Sequence, residues 1–133
     1  MRLAFAGLAA LICACACATY REDLNRGQRL YDESQYERAL SIFRVLEADQ
    51  DSLSAADRAR YFYLRGMTDY RLGFRRDARH WLALAKATEK EHPGGLTNEW
   101  RERAERYLNE LNREVYGLGP EPEDDPATAT ATE

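Results

Sequence analysis

Two stretches of this chain carry small and apolar residues at identical offsets: Gly27, Ser34, Ala39 and Phe43 are followed, 39 residues on, by Gly66, Gly73, Ala78 and Leu82. A pattern repeating at this period restricts the fold to stacked copies of one supersecondary unit, each burying its apolar face against the next. The unit is helical. Tyr36, Ala39, Leu40, Phe43 and Leu46 recur at the three-to-four spacing of one helix face, as do Ala78, Trp81, Leu82 and Ala85, and no strand alternation interrupts them. Ser34-x-x-Glu37 and Ser54-x-x-Asp57 have the form in which a serine oxygen caps a helix while the acid reaches back, so helices are expected to start at both. Leu72-Gly73 and His92-Pro93-Gly94-Gly95 end two others, and Trp100, Ala104, Tyr107 and Leu111 define a fifth stripe after Thr97. The expected class is all-α: two helical hairpins over residues 20–92 and a further helix over 96–116. Gly27 with Ala39, and Gly66 and Gly73 with Ala78, let the helices of a hairpin approach closely, while Phe43 or Leu82 fills the gap towards the next hairpin.

The first residues answer to a different logic. All three cysteines lie in MRLAFAGLAALICACACATY: Arg2 supplies a positive n-region, Leu3 to Ile12 an apolar h-region, and Ala14-Cys15 a small residue directly before a cysteine. Leu3 to Ala18 falls short of the ~20 apolar residues that span a bilayer. Residues 1–18 are therefore read as a lipoprotein signal peptide with its lipobox, the lipid acceptor being Cys15, with Cys17 as second choice. Ala14-Cys15-Ala16 and Ala16-Cys17-Ala18 also satisfy the small-x-small rule of ordinary signal cleavage, whose product is soluble and periplasmic. Processing at Cys15 removes Cys13 and leaves only Cys17 free, so no disulfide staples the fold.

Taken together, Gly27, Leu30, Tyr36, Ala39, Phe43 and Leu46 in the first unit, and Gly66, Tyr70, Leu72, Gly73, Ala78, Leu82 and Ala85 in the second, resemble the tetratricopeptide repeat. The resemblance implies a short array of two hairpins, with the helix over 96–116 as its C-terminal cap, and Trp100, Tyr107 and Leu111 lying over the helix at 75–90. It further implies that the first helix of each hairpin lines a concave groove, which places Arg21, Leu24, Gln28, Tyr31, Arg60, Tyr63, Met67, Tyr70 and Arg71 where a partner would bind. Aromatic area, a polarizable thioether and planar donors suit the gripping of a peptide. Asp23, Arg26, Arg65 and Asp69 stand where the family usually carries apolar or aromatic residues, so the first helices are expected to be shifted or partly exposed. The units are also 39 residues apart, where the family has 34.

Charge narrows the classes of partner. Residues 20–116 balance 18 Lys and Arg against 18 Asp and Glu, whereas 117–133 carry Glu121, Glu123, Asp124, Asp125 and Glu133 with no base. That Pro-, Ala- and Thr-rich tail is too polar to repay ordering and is expected to be disordered. A neutral body with an acidic tail lacks the basic face that nucleic acid requires. His80 and His92 stand apart with no cysteine at metal-ligand spacing, and no phosphate loop, G-x-S-x-G or H-E-x-x-H is present, so neither catalytic residues, metal nor cofactor are expected. The expectation is a lipid-anchored protein of the bacterial envelope, at the periplasmic face of the outer membrane, serving as scaffold or assembly factor for an envelope protein or peptide. The alternative is a structural envelope lipoprotein acting through the capping helix or the tail; a second copy could stack on the hairpin end at Leu24 and Leu30.

Overall fold

The computed structural model describes residues 19–119, so the signal peptide with Cys15 and Cys17, and the tail from residue 120 on, lie outside the described residues. Within them the chain is all-helical: α1 (residues 19–32), α2 (Tyr36–Leu46), a 3-10 helix (Glu47–Ser52), α3 (Ala55–Arg71), α4 (Arg75–Glu91) and α5 (Asn98–Tyr116).

The 39-residue repetition is written into the backbone. Ser34 has φ 59° and Gly73 φ 83°, and each sits in the same two-bond turn. Gln35 N–H donates to Leu30 O and Ser34 N–H to Tyr31 O; Phe74 N–H donates to Asp69 O and Gly73 N–H to Tyr70 O. This pairing satisfies carbonyls at the end of a helix and requires a left-handed residue, which is glycine's ordinary role. Ser34 is thereby corrected from the first helical cap of α2 to the turn residue before it, and the N-cap is Gln35, without a side-chain bond. Gly73 is likewise a turn residue and no packing residue, since a Cβ there would meet nothing within 4 Å. The cap expected at Ser54 does form, and Thr97 makes a second, their hydroxyl oxygens accepting from Asp57 N–H and Trp100 N–H at 3.1 Å.

Gly27 lies under the Phe43 ring, where a Cβ would come 2.9 Å from Cζ, and Gly66 lies under Leu82, where a Cβ would come 2.8 Å from Cγ. Ala39, Phe43, Ala78 and Leu82 are fully buried around these contacts. α3 occupies the centre, with every residue from Tyr61 to Asp69 buried, as a helix surrounded on all sides must be. α1 lies beside it, joined by Arg21–Asp57 at 3.4 Å and by a hydrogen bond from Arg60 to Asn25. On its other flank α5 runs parallel to α3, Tyr63 stacking on Trp100 at 4.5 Å and Tyr70 against Tyr107 at 4.3 Å. α2 and α4 back this layer. Tyr61 Oη donates to Phe43 O at 3.0 Å, and Trp81 stacks on Phe62 at 5.7 Å.

Two expectations change. Trp100 and Tyr107 rest on α3, because α5 continues the layer of α1 and α3, and its buried stripe of Ala104, Leu108 and Leu111 is what faces α4. Arg65 and Asp69 are buried rather than shifted outward: Arg65 Nε meets Asp69 Oδ2 at 3.0 Å, its Nη1 meets Glu47 Oε2 at 3.0 Å, and its guanidinium lies 5.0 Å from the centre of the Trp81 ring. A buried carboxylate is tolerated only with such a partner.

The link between α4 and α5 is held from beneath. Glu89 is buried, and its carboxylate accepts from the backbone N–H of Gly94, Gly95 and Leu96 at 3.0, 2.9 and 3.0 Å. Burial alone would raise its pKa, but the three amides and Arg101 more than offset this and hold it below the usual carboxylate range. Gly95 is pressed against α3, where a Cβ would come 2.6 Å from Ala56 O.

Candidate functional site

Three parallel helices lying side by side present a common face, and its chemistry is set by what each contributes around the C-terminal end of α3. From α1 comes Tyr31, its ring 5.6 Å from Tyr36 at the start of α2. From the last residue of α3 comes Arg71, exposed and lying against the Tyr31 phenol; burial would lower its pKa, but Tyr31, Tyr107 and Tyr36 hold it above its ordinary value. α5 supplies Tyr107 and Arg103, and Arg103 pairs with Glu99 one turn earlier. Arg103 faces both Tyr63 and Tyr31.

Tyr63 forms the floor. Its ring is fully buried against Trp100, and its hydroxyl has no hydrogen-bond partner among the described residues. Burial and the neighbouring Tyr31 push its pKa up to about 12 against the opposing pull of Arg103. Tyr31 is raised by burial in the same way, with Arg71 and Arg103 working against the shift. The ensemble is a tyrosine-rich surface flanked by two guanidiniums from different helices. Such a surface offers flat apolar area, hydroxyls and planar cationic donors.

The residues placed in the groove by sequence therefore divide. Tyr31 and Arg71 meet on the open face. Leu24, Tyr63 and Met67 are fully buried and offer a partner no surface. Tyr70 is half-buried, its hydroxyl donating to Glu110 at 2.8 Å with the Arg75 guanidinium 4.6 Å over its ring, so it fastens α3 to α5. Arg21 reaches Asp57 at 3.4 Å and Arg60 donates to Asn25, so both clamp α1 to α3 away from the Arg71 edge; Gln28 is half-buried in α1. Arg103, Tyr107 and Tyr36 were missed. Arg103 and Tyr107 are four residues apart on one helix face, a signal that becomes readable once α5 is treated as a third helix of the layer.

Among the described residues no group of three or more His, Cys, Asp or Glu is placed to hold a metal ion, and no helix is long and apolar enough to cross a membrane. No protein-family model matches the chain, and neither curated proteins nor solved structures match it.

Proposed function

We propose that this chain is a membrane-tethered periplasmic scaffold or assembly factor, holding a peptide or protein partner on the concave face of a short array resembling tetratricopeptide repeats. The observation that carries the reading is the parallel layer of α1, α3 and α5, which gathers Tyr31, Arg71, Arg103 and Tyr107 on one open face. Support for the array comes from the turn repeated at Ser34 and Gly73 and from the paired contacts Gly27–Phe43 and Gly66–Leu82. In such an array α5 is the third groove-lining helix as well as the cap, its outer face carrying Glu102, Glu105, Arg106 and Asn109 towards water. Lipid attachment at Cys15 would tether the chain to the membrane.

The test is a pull-down from detergent-solubilised bacterial envelope, comparing the tagged chain with a Tyr31→Ala, Arg71→Glu, Arg103→Glu variant of matched circular dichroism. Envelope proteins recovered with the first and lost with the second are expected. Equal recovery by both would remove the open face from the function.

A further inference from the structure

The opposite side of α5 carries a second feature, independent of the layer face. Between α4 and α5 runs a cleft of about 520 Å³ lined by Arg76, Arg79, His80, Leu108, Asn112 and Tyr116. Arg79 Nε donates to Asn112 Oδ1 at 2.7 Å, and its guanidinium lies 5.9 Å from the Tyr116 ring. Nearby, Arg75 is neutralised by Glu110 and Glu114 at 3.2 and 2.8 Å. Arg76 and Arg79 have no such carboxylate among the described residues, so the cleft holds two uncompensated guanidiniums. Its rim is open: Tyr116, on the lining, is 66% exposed, and the chain continues from it to Leu118, 56% exposed.

The chain leaves the described structure at this rim. Gly117 ends α5 in a left-handed turn, Leu118 N–H donates to Arg113 O, and Arg113 Nε donates to Gly119 O at 2.8 Å, which turns the backbone off the helix axis. The residues that follow carry Glu121, Glu123, Asp124 and Asp125 within six positions of Gly119, and residues 120–133 contain no base. At about 3.3 Å per residue this gives the four carboxylates a reach of up to about 20 Å from the point of exit.

We propose that residues 120–133 of this same chain occupy the α4–α5 cleft, the carboxylates of Glu121 to Asp125 lying on the guanidiniums of Arg76 and Arg79. A tethered segment acts at an effective concentration on the order of millimolar, so individually weak ion pairs suffice to seat it. Contacts of this kind are screened by salt.

The experiment records backbone amide resonances of residues 121–128 in the full chain at 20 and 500 mM NaCl, beside those of a synthetic peptide of residues 120–133. At low salt the chain's resonances are expected to differ from the peptide's and to move onto them at high salt. The same collapse is expected in Arg76→Glu, Arg79→Glu, and in a Glu121→Gln, Glu123→Gln, Asp124→Asn, Asp125→Asn chain whose folded body is untouched. Arg44→Glu on α2 should leave them in place. Resonances matching the free peptide at 20 mM NaCl would overturn the proposal, as would release of the segment by Arg71→Glu while Arg76→Glu, Arg79→Glu has no effect.

Discussion

The two hairpins are made to one pattern and live in different surroundings. Each has a left-handed turn residue and a glycine pressed under an apolar side chain of its second helix, 39 residues apart. Yet Arg26 and Leu30 of α1 correspond to Arg65 and Asp69 of α3, and while Arg26 is exposed and Leu30 half-buried, the latter two are sealed as an ion pair. The repeat dictates the turn and the distance of approach. Place in the stack dictates burial, because α3 has neighbours on both flanks, and burial decides which polar groups must find partners.

The largest test of this contrast is Arg65→Ala against Arg26→Ala. Removing Arg65 strands the Asp69 carboxylate and should cost about 3–5 kcal/mol, whereas Arg26→Ala should stay within about 0.5 kcal/mol; denaturant unfolding measures both. Similar losses would mean that the two sites are not in different environments. Phe43→Ala and Leu82→Ala probe what the hairpins share and should cost about 3–5 and 2–5 kcal/mol. A cost confined to Leu82→Ala would show that the first hairpin frays without disturbing the second.

The connectors extend the comparison. Glu89 gathers three backbone amides, while Gln50, 39 residues earlier, has a buried side-chain oxygen with no partner among the described residues. At pH 7, Glu89→Gln should cost about 1–3 kcal/mol. Because the folded-state pKa of Glu89 lies below its unfolded value, its contribution is complete above the ordinary carboxylate range and fades as pH falls through the folded value. The stability curves of wild type and variant should therefore converge in acid, and a gap that stays constant with pH would rule out the carboxylate as the source. The smallest effects belong to the turns. Gly73→Ala should cost about 1–2 kcal/mol for the left-handed backbone, and Ser34→Gly should gain up to about 1 kcal/mol in a thermal melt, since serine already bears that strain.

How far these features could be read in advance depends on their range. Gly27 and Gly66 were legible because their offsets to Phe43 and Leu82 are fixed by helix geometry within one hairpin. Ser54 was legible because a cap is decided within four residues. Ser34 misled because the same residue type serves as a cap or as a turn, and the choice depends on how the preceding helix ends. The seating of Trp100 and Tyr107 on α3 was hidden, since a helical stripe says that a face is covered without saying by what. Glu89 had a local cue, a carboxylate shortly before a His-Pro-Gly-Gly loop rich in free amides, and Arg65 with Asp69 had the i, i+4 spacing of a pair. Of the candidate site, Tyr31 and Arg71 came from the repeat, whereas Arg103 and Tyr107 required knowing that α5 extends the layer.

The chain's two tryptophans stand against different faces of the central helix, Trp81 against Phe62 and Trp100 against Tyr63. Each is thus an optical gauge of one seam: a Trp81→Phe chain emits only from the α3–α5 contact, and a Trp100→Phe chain only from α3–α4. Followed in stopped flow, the pair would time the parting of the two seams separately and show which end of the stack lets go first.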